Sequence, residues 1–350
     1  MVKLDKVRRI SQLYGELSEQ EKLAFAHLIA SDGLIKAVPG IRTIEDFLKD
    51  AHVGPMKCPH CGSLHVKKNG VVNGRQVFRC NECKRKFRYS TNTIFKSAKK
   101  ELGLYTDYVH CMMEQMTVRK AAARCGISKR SSFFLRHKLL DALQGMEDTV
   151  ILDGIVESDE TFFSHSFKGN HREEKNFKMP REAHKRGASV HTRGLSREKV
   201  CVPCAVNGDS KSFARVCCLG APKASEMAGL LDGRVSRDSV FCTDSTHAYD
   251  ILAKKECFRH VKIPSGRRVR GGYGIQRVNG YHSRLKLFML VFHGVATKYL
   301  NNYLAWFNLS RFAGGSEATI EGVWNMFNAT ASYQGSKRTY MKRPIIAAIA

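Results

Sequence analysis

Two matched pairs of cysteines are the residues whose spacing most directly indicates a chemistry. Cys58 and Cys61 are separated by two residues, as are Cys80 and Cys83, and the stretch 62–79 lies between the pairs. Each C-x2-C turn presents two thiolates, and four thiolates complete the closed tetrahedral site that structural zinc prefers. The spacing therefore predicts a structural zinc site rather than four unrelated buried cysteines.

Two aspartates form a second set with a different chemistry. Asp159 ends the apolar run 154–159, and Asp244 ends a second apolar run, 239–244, much further along the chain. We interpret both runs as β-strands with an aspartate at the end of each. If the strands are neighbours, the carboxylates converge on a hard divalent cation, for which magnesium is the natural ion and manganese the alternative.

A helix that begins at Asn279 adds polar groups to this set. Asn279, His282, Ser283 and Lys286 fall on one helical face, at positions i, i+3, i+4 and i+7. Asn279 offers a carbonyl oxygen to a metal, and Lys286, two turns further on, can meet a DNA phosphate. The competing interpretation is that Asn279 only caps the helix.

The pair Cys201 and Cys204 has the same C-x2-C spacing but a different context. It lies within an apolar, strand-like run, and only the adjacent Cys217 and Cys218 follow it. Alternation along a strand sends the two side chains to opposite faces. We therefore interpret these cysteines as buried, reduced thiols.

The elements that must position the zinc site are short strands. Residues 65–80 alternate in polarity, and Asn73-Gly74 is a strong hairpin signal. We expect a zinc ribbon in which Phe87 and Tyr89 cover the metal.

Basic side chains dominate the ribbon. Residues 57–100 hold twelve Lys or Arg and a single acid, Glu82, while residues 259–288 hold eight Lys or Arg and no acid. The whole chain has 58 Lys and Arg against 32 Asp and Glu, a formal net charge of +26. Such a field attracts polyanions, although charge alone leaves open a basic enzyme unrelated to nucleic acid. The ribbon side chains expected to contact DNA are Lys67, Lys68, Arg75, Arg79, Lys84, Arg85, Lys86 and Arg88.

Residues 116–143 have the pattern of two helices joined at Gly126, with Ser128 capping the second. The residues placed to pack the two helices together are Ala121, Ala122, Ile127 and Leu135. This arrangement predicts a helix-turn-helix-like unit that exposes three basic residues to DNA, namely Lys129, Arg130 and Arg136.

The composition divides the chain into five parts: a helical N-terminal segment (1–50), the zinc ribbon (51–95), a helical DNA-binding segment (96–148), an α/β catalytic domain (149–312) and a C-terminal tail (313–350). Within the catalytic domain, residues 165–199 are too polar for a core and are expected to form a loop or hairpin over the active face.

Nothing in the sequence suggests a membrane or a secreted protein. No stretch approaches the ~18 uninterrupted apolar residues of a membrane helix. Charges run through the N-terminus without an apolar signal core. We expect a cytoplasmic protein, associated with the nucleoid when bound to DNA, whose twelve cysteines bind metal or stay reduced.

Several stretches together resemble bacterial insertion-sequence transposases of the IS1595 family, in which an N-terminal zinc ribbon precedes an ISXO2-like transposase domain. They span roughly residues 56–310 and read CPHCGSLHVKKNG, FRCNECKRKF, ESDETFFSHSFKGNH, KRGASVHTRGLSREKVCVPCAV, FCTDSTHAY and NGYHSRLKLFMLVFHGVATKYLNNYLAWF. The resemblance implies an Asp-Asp-Asn-Lys catalytic set, a variant of the Asp-Asp-Glu recombinase pattern, at Asp159, Asp244, Asn279 and Lys286. It also implies an α/β fold with a ribonuclease-H-like mixed sheet and flanking helices, preceded by the zinc ribbon and the helix-turn-helix-like segment.

Asn279 departs from the wider Asp-Asp-Glu pattern and leaves no carboxylate at the third position. Glu160, Glu317 and Glu321 are the alternative third acids, but none begins a helix with Lys seven residues later. The sequence favours Asn279 and leaves the other three open.

The implied function is that of a DNA transposase, a magnesium-dependent polynucleotidyl transferase. It would bind double-stranded DNA at the element's terminal inverted repeats, free the 3′ ends and join them to target DNA. His282 or Arg284 is expected to assist, and self-association is expected from the resemblance alone. Two alternatives remain open: a zinc-ribbon regulator with a silent transposase-like core, and a nuclease that cuts but never joins.

Overall fold

The computed structural model describes residues 16, 44–50, 52, 54–147, 150–169, 196, 198–208, 211–244, 247–256, 259–267 and 269–312. Most of the N-terminal helical segment, most of the 165–199 stretch and the tail after 312, with Glu317 and Glu321, lie outside these residues.

The chain divides into two compact units, Met1–Ser90 with Ser97–Asp107 and Thr91–Lys96 with Tyr108–Ala350. The second unit takes in most of the helical segment 96–148 together with the domain that follows it.

The first unit contains helix α1 (Ile44–Asp50) and an antiparallel sheet of β1 (Val66–Val72), β2 (Arg75–Cys80) and β3 (Lys86–Phe87). Asn73 and Gly74 connect β1 to β2 with φ angles of 51° and 71°. Two positive φ values are what a two-residue hairpin turn of the right twist requires. The predicted ribbon of short strands is therefore confirmed.

Three helices follow: α2 (Leu102–Met113), α3 (Val118–Arg124) and α4 (Lys129–Glu147). Ser128 caps α4, because its hydroxyl accepts a hydrogen bond from Ser131 N at 3.1 Å. Gly126 makes the turn between α3 and α4 with φ at 60°. The predicted packing residues Ala121, Ala122 and Leu135 are buried, and Ile127 is half-buried.

A five-stranded mixed sheet organises the second unit, in the order β6-β5-β4-β7-β8. The central strand is β4 (Ile155–Ser164), and β5 (Lys199–Val206) and β6 (Ser212–Ala214) extend the sheet from one edge by antiparallel pairing. On the other edge, β7 (Val240–Asp244) and β8 (Arg259–Ile263) run parallel to β4. This is the predicted ribonuclease-H-like mixed sheet.

Helices cover both faces of this sheet. On one face, α5 (Ala224–Leu231) and α6 (Asp250–Glu256) share a core with β4, β5 and β7. On the other face, α7 (Gln276–Leu290) packs against β4 and β5, and α8 (Leu300–Phe312) packs against β6 and α4. The remaining elements are the short strands β9 (Val269–Arg270) and β10 (Tyr273–Gly274) and two 3-10 turns, His247–Tyr249 and Thr297–Tyr299.

In the part of the chain that the structure describes, helices long and apolar enough to cross a bilayer are absent.

Candidate active site and zinc centre

The four ribbon cysteines converge on one point. The Sγ atoms of Cys58 and Cys83 are 3.6 Å apart, those of Cys61 and Cys80 are also 3.6 Å apart, and all four lie within 4.8 Å of one another. Four sulfurs at a zinc–sulfur distance of about 2.3 Å in tetrahedral geometry are about 3.8 Å apart. The donor set therefore fits zinc in both chemistry and spacing.

Aromatic rings pack beside the cysteines, as the sequence predicts. Phe87 stacks on Phe78 with ring centres 5.5 Å apart, and Tyr89 contacts Phe78 edge-on at 5.0 Å. Cys58 and Cys80 are buried in the same cluster. This small apolar cluster and the thiolate site together make up the interior of the ribbon.

Three basic residues line up across the ribbon, and we call them the basic row: Lys67, Arg79 and Lys86. Lys67 pairs directly with Arg79 in the ladder, Arg79 pairs directly with Lys86, and all three are exposed. Like charges directly opposite each other on neighbouring strands destabilise a sheet. The row therefore favours a polyanionic partner that would offset the repulsion.

The other predicted DNA contacts differ in exposure. Lys68, Lys84, Arg85, Lys129 and Arg130 are exposed. Arg75 and Arg88 are half-buried.

Arg136 does not lie on the exposed face where the sequence analysis placed it. It is 0% exposed, because its position on α4 faces α8. Its guanidinium lies 4.8 Å from the ring centre of Trp306 and 5.4 Å from that of Tyr108, and Nη2 donates to Met116 O at 2.8 Å. The prediction that Arg136 is exposed is wrong; it packs in the interior as a cation between aromatic rings.

Asp159 and Asp244 lie next to each other on neighbouring strands. The parallel ladder of β4 and β7 ends with the pair Ser158 and Thr243, and each aspartate is the next residue of its strand. Because Ser158 and Thr243 are both fully buried on one face, the two aspartates point to the opposite face. The two strands that carry the aspartates, β4 and β7, are therefore neighbours, as the convergence of the carboxylates requires.

One detail differs from the sequence-based expectation. Asp244 does end β7, but Asp159 lies in the middle of β4, which continues to Ser164. Antiparallel pairing with β5 extends β4 well beyond Asp159, past the end of β7. The apolar run marks only the half of β4 that pairs with β7.

The surroundings of Asp159 disfavour the ionised form of its carboxyl group. Burial and then the charge of Asp244 raise its pKa to about 6, although Glu160 N donates to its Oδ1 at 2.9 Å. The nearby His282, with Nδ1 3.9 Å from Asp159 Oδ2, does not offset this effect. Burial and then Lys286 lower the pKa of His282 to about 4, so this imidazole is neutral at neutral pH. Two carboxylates held together in this way fit a divalent cation.

Asn279 lies inside α7 rather than at its start. The helix begins at Gln276, and Asn279 N bonds to Ile275 O at 3.2 Å. Asn279 is therefore not the N-cap, and the capping interpretation is wrong. Of the predicted face, Asn279, Ser283 and Lys286 are exposed, whereas His282 is buried.

A cleft of about 310 Å³ opens beside these residues. Lys286 from α7 and Lys199 from β5 both line it, together with Glu160 and His282. Lys199 is not predictable from the sequence, since nothing in its local sequence separates it from other surface lysines. Two lysines from different elements suit a phosphate in this cleft.

Glu160, an alternative third acid, follows Asp159 directly in β4 and lines the cleft. Its carboxyl group also interacts with that of Asp159. Burial and then the charge of Asp159 raise its pKa to about 7.

The predicted buried thiols are confirmed. Cys201 and Cys204 are free and fully buried. Cys201 lies in the core under α5 and α6 with Cys217 and Cys218, whereas Cys204 pairs across the ladder with Asp159 on the opposite face. Cys217 and Cys218 also have donor atoms within 4.8 Å of the Glu226 carboxylate, but burial raises the pKa of Cys217 to about 12 and favours the neutral thiol.

Residues 151–309 match the profile of the ISXO2-like transposase domain. A curated relative from Halobacterium salinarum, described as an uncharacterized protein in transposable element ISH50, is 26% identical over 258 residues, which are 73% of this chain and 84% of the relative. Both matches point to proteins of insertion elements.

Two solved structures show a remote likeness. The pre-cleavage Mos1 transpososome is 11% identical, with 69% of this chain and 82% of that chain covered and a TM-score of 0.27. The Mos1 Strand Transfer Complex is 12% identical, with 69% and 81% covered and a TM-score of 0.28. At these scores the likeness adds no weight, and the fold assignment rests on the strand order and directions described above.

Proposed function

We propose that this chain is a transposase of the IS1595 family, because residues 151–309 match the ISXO2-like transposase domain, and that it cuts DNA at the ends of its element and joins those ends to target DNA. The observation that carries the proposal is the adjacency of Asp159 and Asp244 on one face of neighbouring parallel strands. A lone aspartate in a strand is common. Here burial and the charge of Asp244 raise the pKa of Asp159, which suggests a functional reason for keeping the two aspartates together.

Asp159 and Asp244 would hold magnesium or manganese, with Asn279 as a third ligand through its amide oxygen. When bound, the ion supplies Lewis-acid activation of the hydroxyl that attacks the phosphodiester. Lys286 and Lys199 hold DNA phosphates in the cleft. The buried, neutral His282 packs against Asp159.

DNA binding would come mainly from the zinc ribbon and the start of α4. The basic row supplies three exposed cations on one surface, and Lys129 and Arg130 supply two more at the start of α4. The sequence to be recognised is the terminal inverted repeat of the element. Because two ends must be brought together, we expect the active form to contain more than one copy of the chain.

The test is cleavage of a DNA fragment that carries the inverted repeat at one end, with magnesium present or withheld. We expect magnesium-dependent release of a 3′ hydroxyl end, followed by joining to a second DNA. Asp159→Ala and Asp244→Ala should abolish both steps and leave DNA binding unchanged. The matched control is Asp153→Ala, because Asp153 is a half-exposed carboxylate of the same unit that pairs with Lys211.

Binding without any cleavage by the unchanged chain would instead favour a regulator with a silent core. Cleavage without joining would favour a nuclease. Full activity of Asp159→Ala would remove this residue from the catalytic set.

A further inference from the structure

Helix α7, which carries Asn279 and Lys286, has no N-terminal cap of its own. Ile275 occupies the cap position and makes no side-chain cap bond, and the first turn contains no acidic residue. The first N–H groups of any helix lack partners within the helix and must find them elsewhere.

The missing acceptor comes from the central strand of the sheet. Oε2 of Glu157 accepts hydrogen bonds from Arg277 N at 2.7 Å and Val278 N at 3.1 Å. Its Oε1 lies 3.7 Å from Arg277 Nη1. Glu157 is 5% exposed and lies 120 residues before Arg277 in the sequence, so the cap comes from a distant part of the chain.

The cap ties α7 to the strand that holds the first catalytic aspartate. Glu157 and Asp159 are two residues apart in β4 and therefore share a face. Asn279 follows directly after the capped Val278, and His282, one turn later, lies 3.9 Å from Asp159. Two contacts thus join the first two turns of α7 to β4, one on each side of Asn279.

We propose that Glu157 is a positioning residue that fixes the start of α7 on β4 and so holds Asn279 at the Asp159–Asp244 pair. This inference rests on the proposed function, in which Asp159 and Asp244 hold the metal ion. Glu157 itself contacts neither DNA nor the reacting atoms. The role of Glu157 depends on an acceptor oxygen and does not require a negative charge.

The test compares Glu157→Ala, Glu157→Gln and Glu157→Asp in the full chain, with zinc kept in the ribbon. Manganese affinity is measured by titration with detection of free ion by electron paramagnetic resonance, and the signal from an Asp159→Asn protein is subtracted. DNA cleavage as a function of magnesium is the second readout. Hydrogen exchange of the Arg277 and Val278 amides reports on the cap directly.

We expect Glu157→Ala to weaken manganese binding about tenfold, the size typical of losing a group that orients a metal ligand. Glu157→Gln keeps an acceptor oxygen at the same distance and should restore affinity to within about threefold of the unchanged chain. Glu157→Asp is one methylene too short and should behave like the alanine variant. If Glu157→Ala does not fold, the Gln and Asp variants decide the question.

Two controls separate positioning from general destabilisation. Glu226 caps α5 by accepting from Lys223 N at 2.8 Å, so Glu226→Ala removes a comparable cap from a helix without site residues. It should lower the melting temperature and leave manganese affinity unchanged. Arg277→Ala removes the side-chain ion pair, keeps both backbone bonds, and should also leave manganese affinity unchanged.

Unchanged manganese affinity in Glu157→Ala would overturn the proposal. So would a Gln variant as impaired as the Ala variant, because that would make the charge, and not the cap, the active feature. A chain that does not cut DNA, or shows no Asp159-dependent manganese site, would overturn the proposed function instead. In that case slow exchange of the Arg277 and Val278 amides, lost only without the Glu157 acceptor, would still establish the cap.

Discussion

In the ribbon, all four donor atoms come from two turns that are close in the sequence, 58–61 and 80–83, whereas the proposed aspartate site draws on two strands far apart in the chain and on a helix that follows them. The ribbon site is closed, since four thiolates fill a tetrahedral shell. The aspartate site lies beside an open cleft and supplies only oxygen donors. One arrangement suits a metal that stays and holds a fold together, and the other suits an ion that shares its shell with a phosphate.

This contrast predicts opposite responses to the loss of a ligand. In the ribbon, the four cysteine ligands support the fold through the metal, so removal of one should unfold the ribbon. In the aspartate site, burial and the charge of Asp244 raise the pKa of Asp159, so removal of one proposed ligand should reduce activity and leave the fold intact.

The largest effect is expected from Cys58→Ser or Cys83→Ser. Either change should release zinc, unfold the ribbon and severely weaken DNA binding, because metal-binding energy is folding energy in such small units. Zinc content, measured by atomic emission, and DNA affinity are the readouts. Cys125→Ser, which changes a half-buried thiol of the second unit, should keep the zinc. Purified unchanged protein without stoichiometric zinc would contradict the closed site.

The next effect concerns Asn279. Asn279→Ala should lose most of the cleavage activity, whereas Asn279→Asp should keep it and need less magnesium, because a carboxylate is a stronger hard ligand than an amide. Cleavage rate as a function of magnesium concentration measures both. Ser283→Ala, on the same exposed face of α7, is the control. A fully active Asn279→Ala protein would exclude the amide as a ligand.

A stability measurement tests the energetic cost of burying Asp159 beside the charge of Asp244. The pKa of Asp159, about 6, lies above its ordinary value of 3.8, so the folded protein gains stability by keeping it protonated. That stability is present below about pH 4 and is lost as the pH rises through about 6. Magnesium-free Asp159→Asn should therefore be the more stable protein at pH 7, by up to about 3 kcal/mol.

Thermal unfolding between pH 4 and pH 8 checks this expectation. Asp153→Asn should show no such gain, because Lys211 and the amide of Asn207 lower the pKa of Asp153 instead. An Asp159→Asn protein that is less stable than the unchanged chain at pH 7 would show that Asp159 serves the fold.

The smallest effect is expected at the basic row. Lys67→Ala, Arg79→Ala or Lys86→Ala should each weaken DNA binding a few-fold and lower the slope of log affinity against log salt by about one. The same changes should slightly raise the melting temperature of the ribbon, because each removes a like-charge pair. Arg237→Ala, which removes an exposed cation paired with Glu256, should change neither. Affinity that does not vary with salt would contradict phosphate contact.

The sequence predicts the ribbon site better than the aspartate site for a physical reason. Zinc ligands two residues apart and an Asn-Gly turn are local features, so Cys58 to Cys83 could be assigned without the fold. The adjacency of Asp159 and Asp244 depends on strand order, which the apolar runs suggest but do not determine. Glu157 could not be assigned at all, because its partners Arg277 and Val278 are backbone groups in a distant part of the chain.

The prediction that Arg136 is exposed was wrong for a related reason. A helix with apolar residues on one stripe predicts that its charged residues face water. Here α4 also contacts α8, so a second side of the helix is buried and takes Arg136 with it. One helix in isolation does not reveal how many neighbours it has.

The parallel pairing of β4 with β7 also orders events during synthesis. Parallel strands need a long crossover connection, so the aspartate pair cannot form until the chain has passed Asp244, and the third group waits for Asn279. The ribbon ligands are complete much earlier, at Cys83. At ~5–20 residues per second, synthesis from Cys83 to Asn279 takes at least about ten seconds, during which the nascent chain has all four ribbon cysteines and lacks part of the proposed catalytic set. Under the proposed function, the ribbon would therefore meet DNA before the chain could cut any.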